Sequence, residues 1–240
     1  MLLSYAGYYG YGRMYYDPTM ILALIGLVLT IIASSRVNAT FAKYNKVRCM
    51  AGLTGAQAAE KVLHMAGIYD VRIEHVSGSL TDHYDPRDKV LRLSDSTYGS
   101  TSVAAVCVAA HECGHAIQHA TNYAPLEMRS AIVPAANLGS SLSWPLFLIG
   151  LFAGIQPLVT AGIVLFSLAV LFQLVTLPVE VNASSRALKM LQSTGILESD
   201  EAKGARSVLT AAAMTYVAAL AGSILQLLRL IILAGGRRDD

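Results

Sequence analysis

Charged side chains are what this sequence has least of: 14% of its 240 residues are Asp, Glu, Lys or Arg, against about a quarter in an ordinary soluble domain. With 54% of residues hydrophobic and a mean hydropathy of +0.50, too little polar surface is available to cover a water-soluble globule, and the chain reads as a membrane protein. The net charge is only +2, and the lysines and arginines are scattered without interleaved aromatic platforms, which excludes nucleic acid as a partner. Three cysteines, Cys49, Cys107 and Cys113, are an odd number in no bridge-like spacing. That excludes a disulfide scaffold and fits a reducing compartment. Internal repeats are absent, and low complexity is confined to a leader in which Tyr5, Tyr8, Tyr9, Tyr11, Tyr15 and Tyr16 alternate with small residues, a composition suited to a headgroup-level anchor.

The missing charge is concentrated in long runs. Residues 18–35 contain no charged side chain, enough for one transmembrane helix. Residues 130–179 are fifty positions without a formal charge, broken near the middle by Gly154-Ile155-Gln156-Pro157, which predicts a transmembrane hairpin. Residues 207–228 supply a fourth span. The expected organisation is a leader with the first span (1–36), a water-facing unit (37–129), the hairpin (130–179), a polar return with an amphipathic helix (180–206), and the last span with its tail (207–240). Arg36, Lys43, Lys46, Arg48, Arg129, Arg186, Lys189, Lys203 and Arg206 all fall on one side of these spans, whereas Arg13, Arg237 and Arg238 fall on the other. The positive-inside rule therefore predicts a cytoplasmic working face.

Within 37–129, Thr54-Gly55-Ala56-Gln57 reads as a capping box opening a helix that stops at Gly67. Alternation over 71–76 and 90–94 predicts strands, the latter joined to 80–84 by the turn Asp85-Pro86-Arg87-Asp88. Strand 90–94 is expected to offer an open edge for an extended peptide. Ser102 then starts a helix carrying His111-Glu112-Cys113-Gly114-His115. Residues four apart share a helix face, so both imidazoles can grip one ion while Glu112 projects beside them. Two histidines and a glutamate in this spacing suit zinc-assisted hydrolysis.

A catalytic zinc ordinarily takes three protein ligands and keeps one open position. Glu180 is expected to be the third, because the hairpin returns the chain to the side it left and Glu180 is the acid at that exit, where a helix is expected to restart after Pro178. His119, one turn beyond His115, is the rival ligand. Glu112 is expected to act as general base, with His83 or Tyr84 as donors to a developing oxyanion.

Several segments together resemble the YugP-like family of bacterial membrane zinc metallopeptidases: Thr54-Gly55-Ala56, Ile68-Tyr69-Asp70-Val71-Arg72, Leu80-Thr81-Asp82-His83-Tyr84-Asp85-Pro86-Arg87, Val90-Leu91-Arg92-Leu93-Ser94, the motif helix and Leu177-Pro178-Val179-Glu180. The resemblance covers nearly the whole chain after the leader. It implies a mainly α membrane protein with about four transmembrane helices and a small zincin-like α+β catalytic unit. It further implies an endopeptidase with His111, His115 and Glu180 holding one Zn²⁺ ion and Glu112 as base, acting on protein or peptide substrates, as an oligomer or beside a band-7-type scaffold. More distant relatives place the third ligand in an E-x-x-A-D pattern. Here Asn182 stands where many relatives carry an acid and Ser184 replaces that Asp, so the carboxylate that would orient a histidine is missing. Two other readings are an intramembrane-cleaving zinc protease and a non-enzymatic scaffold or transporter with a structural metal.

Overall fold

The computed structural model describes residues 17–235, so the tyrosine-rich leader and the Arg237-Arg238 tail lie outside the described residues. Six helices and three strands follow in the order α1 (Met20–Tyr44), α2 (Gly55–Met65), β1 (Arg72–Val76), β2 (His83–Asp85), β3 (Val90–Ser94), α3 (Val103–Ala120), α4 (Ala124–Ala153), α5 (Gln156–Ser193) and α6 (Ser199–Gly235). Four of them, α1, α4, α5 and α6, are long and apolar enough to cross a bilayer. Their exposed surface is mostly bare hydrocarbon side chains such as Ile21, Leu24, Leu138, Val164 and Ile231. Water does not tolerate such a surface and acyl chains do.

The spans pair through small residues. A Cβ added at Gly26 of α1 would stand 3.1 Å from the Gly222 Cα of α6, so the two backbones touch there. The same pair of helices meets again where Tyr44 covers Gly204 and, at the opposite end, where Arg229 binds Asp17 at 2.9 Å. These three contacts set α1 and α6 antiparallel over their whole length. The hairpin of α4 and α5 turns at Gly154, whose φ of 71° suits a residue without a side chain. At about 1.5 Å per residue, α5 is roughly 57 Å long, nearly twice a hydrocarbon core. Its C-terminal portion therefore emerges from the bilayer as a continuous helix.

Two expectations are corrected here. The helix does not restart after Pro178, because α5 runs unbroken through it. Proline removes one backbone donor, and a long, laterally packed membrane helix absorbs that loss as α4 does at Pro134 and Pro145. The polar return of 180–206 is accordingly the outer part of α5, a short turn and the start of α6. The second correction concerns the sheet, whose order is β1-β3-β2 with β1 parallel and β2 antiparallel to β3. Strand β3 is central and cannot be the open edge. Both of its faces are covered, with Val90, Leu91, Leu93 and Ser94 all fully buried. The edges of the sheet are β1, beside α2, and β2, beside α3.

Helix α3 is the hub. Ser102 Oγ caps it by accepting from Ala105 N–H at 3.1 Å, and Thr54 and Gln57 close the expected capping box on α2. Val106, Ala109, Ala110 and Cys113 of α3 pack with Val62 and Leu63 of α2, Leu91 and Leu93 of β3, and Ala187 and Leu191 of α5 in one continuous core. The closest approach is backbone to backbone: a Cβ at Gly114 would lie 2.5 Å from the Ala183 carbonyl oxygen. No flexible side chain could yield there. Gly114→Ala should therefore lever α3 away from α5 and lower stability by about 1–3 kcal/mol, as overpacking does, read as a lower thermal midpoint in detergent; an unchanged midpoint would show that this contact is not tight.

Candidate metal centre

The outer third of α5 meets the middle of α3, and at that crossing His111, His115 and Glu180 converge, with one ligand atom from each lying within 4.8 Å of the others. Glu180 Oε2 is 3.3 Å from His111 Nε2 and 3.5 Å from His115 Nε2. The two imidazoles stand edge to face, their centroids 4.9 Å apart. Glu180 is only 2% exposed. Its Oε1 faces Arg129 of α4 at 3.4 Å, but its Oε2 is buried and makes no hydrogen bond among the described residues. Tyr216 of α6 also interacts with this carboxylate, yet a buried carboxylate oxygen left with only long contacts to two imidazole nitrogens is costly unless positive charge sits among them. The donor set of two imidazoles and one carboxylate is the kind that zinc takes in catalytic sites.

The outer nitrogens of both rings are held. Gln118 Nε2 donates to Val179 O at 2.8 Å and to Asn182 Oδ1 at 3.0 Å. That orientation leaves Gln118 Oε1, which can only accept, 3.0 Å from His115 Nδ1. The ring therefore carries its proton on Nδ1 and presents a lone pair at Nε2. His111 Nδ1 lies 3.1 Å from Ser184 Oγ. The hydroxyl occupies the place where the distant pattern has a carboxylate, so the ring is positioned without one. Asn182 is likewise not idle, since its Oδ1 also accepts from Arg186 Nε at 2.8 Å.

Glu112 lies on the same helix and faces β2, where its Oε2 accepts the Tyr84 backbone N–H at 3.1 Å. His119 is not part of the cluster; its Nδ1 is 2.8 Å from the Tyr84 hydroxyl, one turn beyond the His115 ring. Burial, with the charges of Asp70 and Asp85 nearby, pushes the Tyr84 phenol up to about 12, so it remains a neutral group tied to His119. His83 is exposed, with Nδ1 2.9 Å from the Thr81 carbonyl. The two oxyanion candidates thus border the site while their side chains are engaged elsewhere. Cys113, between the two histidines in sequence, points into the core, where its thiol donates to the Ala59 carbonyl and burial raises its pKa. It takes no part in the cluster.

These groups line one open cavity of about 830 Å³. Its walls are α3, β2 with the turn after it, the start of α4 with Leu126, Arg129 and Val133, and Tyr216 from α6. Gln118 could have been read from its place three residues after His115 on the motif helix. Arg129 is the last charge before the long neutral run. Tyr216 carries no local signal at all.

A mainly helical membrane protein whose motif helix and returning span bring two histidines and a buried glutamate together defines a class of membrane-anchored candidate metal proteins. The chain belongs to the family described as "Putative neutral zinc metallopeptidase", whose model matches residues 19–235. It is 46% identical over 219 residues to "Putative membrane protease YugP" of Bacillus subtilis (strain 168), covering 91% of this chain and 97% of that protein. No solved structure matches it. Because Gln118 sets the His115 ring, Gln118→Leu should weaken zinc binding by about 10–100-fold, the usual effect of losing such an orienting partner. Competition with a chromogenic chelator reads this directly, and an undiminished affinity would remove Gln118 from the site.

Proposed function

We propose that this chain is a membrane-anchored zinc endopeptidase in which His111, His115 and Glu180 hold one zinc ion and Glu112 is the general base. The observation that carries the reading is the convergence of the buried Glu180 Oε2, which makes no short hydrogen bond of its own, on the two Nε2 atoms of the His-Glu-x-x-His helix at 3.3 and 3.5 Å. Membership in the zinc metallopeptidase family supports the same chemistry. When bound, zinc supplies a lowered pKa for a water molecule and polarises the scissile carbonyl.

The protein's own residues do the rest. Glu112 keeps one oxygen on the Tyr84 N–H, which fixes the carboxylate while its other oxygen takes a proton from the attacking water and returns it to the leaving amine. Arg129 offsets the charge of Glu180 and holds its carboxyl group in place. A peptide in extended form fits between the edge strand β2 and the apolar wall formed by Leu126 and Val133. The substrates are therefore protein segments that are unfolded or project near the membrane surface. The unit is zincin-like in having a short sheet above the motif helix, though its third ligand comes from a membrane-spanning helix.

The working face is assigned to the cytoplasm of a bacterial cell. Arg36, Lys43, Lys46, Arg129, Arg186, Lys189, Lys203 and Arg206 all lie at the end of the bundle that bears the site, and Arg229, paired with Asp17, lies at the other. An intramembrane-cleaving mechanism is less well supported, because Glu127 and Arg129 line the same cavity as the cluster with charges that belong at a wet boundary.

Glu112→Gln should retain zinc and lose cleavage of an unfolded protein by about 10²–10⁴-fold. Glu180→Ala should lose zinc and cleavage together. Chelation should abolish wild-type activity and added zinc should restore it. Equal cleavage by wild type and Glu112→Gln, assayed in detergent with metal content measured on the same samples, would remove Glu112 from the mechanism.

A further inference from the structure

On the flank of α6 away from the catalytic cavity lies a second groove of about 850 Å³, enclosed by α1, α6 and the end of α5. Its lining is basic and hydroxylated: Arg36 and Thr40 from α1, and Lys203, Arg206, Ser207 and Thr210 from α6. Arg36 and Thr40 are one turn apart on one face of α1, and Lys203, Arg206, Thr210 and Met214 form a stripe along α6. The antiparallel packing of Tyr44 on Gly204 and Gly26 on Gly222 brings those two stripes opposite each other.

We infer that this groove binds the phosphate group of an anionic membrane lipid. Charge, depth and shape agree. Lys203 pairs with Asp200 at 2.9 Å, whereas Arg36 and Arg206 make no ion pair, and Thr40 and Thr210 no side-chain hydrogen bond, among the described residues. Two free guanidinium groups and two free hydroxyls suit a phosphate, which takes guanidinium in paired hydrogen bonds. The uncharged run 18–35 spans about 27 Å at helical rise, close to the hydrocarbon thickness, so Arg36 stands where the headgroups begin. Directly below the cations, Ile31, Ile32, Met214 and Val217 are exposed and apolar. A soluble phosphate would use only the upper half of this surface. A phospholipid uses both, its acyl chains lying on the hydrocarbon side chains beneath its headgroup.

The test uses the full-length protein in a neutral detergent, with bound lipid counted by native mass spectrometry. Phosphatidylglycerol, phosphatidylcholine and inorganic phosphate are titrated in separate arms. One phosphatidylglycerol should bind in preference to phosphatidylcholine. The double variant Arg36→Gln with Arg206→Gln should weaken that binding roughly thirtyfold, the loss expected for two juxtamembrane cations. Arg36→Lys with Arg206→Lys should keep most of it, and both variants should retain zinc and the lipid-free thermal midpoint of the wild type. Equal binding of the two lipids, or of phosphatidylglycerol to wild type and the glutamine variant, would overturn the proposal. Inorganic phosphate raising the thermal midpoint as much as phosphatidylglycerol would assign the groove to a soluble anion and overturn the lipid.

Discussion

A carboxylate that is almost fully buried sets the terms for the rest of this molecule. Glu180 has one oxygen near Arg129 and the other near two imidazoles, with no hydrogen bond to the latter oxygen. Removing a carboxylate from water is expensive, and the cost is offset only by opposite charge held at fixed positions. Three elements must therefore be in register at once: α5 to carry the acid, α3 to carry the histidines, and the first turns of α4 to carry the arginine. The short contact between Gly114 and the Ala183 carbonyl fixes the first two relative to each other, because two backbones in contact leave little freedom to slide. The third follows from chain continuity, since α4 begins four residues after α3 ends.

That requirement also explains why a span is long. Had α5 ended at the hydrocarbon boundary, Glu180 would sit in a loop, free to hydrate. Carried on a continuous helix through Pro178, it is held instead on a rigid axis whose next turn presents Ser184 to His111. Asn182, on the same helix, takes the amide of Gln118, and Gln118 in turn orients His115. Neutral groups from one returning helix thus orient both rings. A second buried acid beside Glu180 would add like-charge repulsion in an already crowded place.

Much of this was legible in the residues, for reasons that differ by element. The four spans could be read because charge is absent over runs as long as a bilayer is thick, a signal that needs no tertiary information. The facing of His111 and His115 follows from helical period alone. The approach of Glu180, 65 positions beyond His115, was legible only through topology: a hairpin of two spans must return the chain to the side it left. The sheet was less transparent. Residues 71–76 and 90–94 both alternate, but alternation does not say which strand lies in the middle, and β3 takes the centre because β1 crosses over to pair parallel with it. The continuity of α5 was hidden by Pro178, whose effect depends on whether neighbouring helices compensate. Arg129 and Tyr216 were invisible, since each joins the site through the depth at which its helix crosses the others.

Helix α6 shows how the membrane part and the site are one construction rather than an anchor with a cargo. One flank supplies Tyr216 to the cavity at the metal centre, and the other supplies Lys203, Arg206 and Thr210 to the basic groove. Its position is set from outside by α1 through glycine contacts and the Asp17–Arg229 pair, and from inside by Val208 and Leu209 in the core around α3. A helix held on both sides cannot tilt without disturbing either the cavity wall or the groove. The geometry of the cavity is therefore a property of the whole bundle, because the same helix that closes it is held by α1 on one side and by the core around α3 on the other.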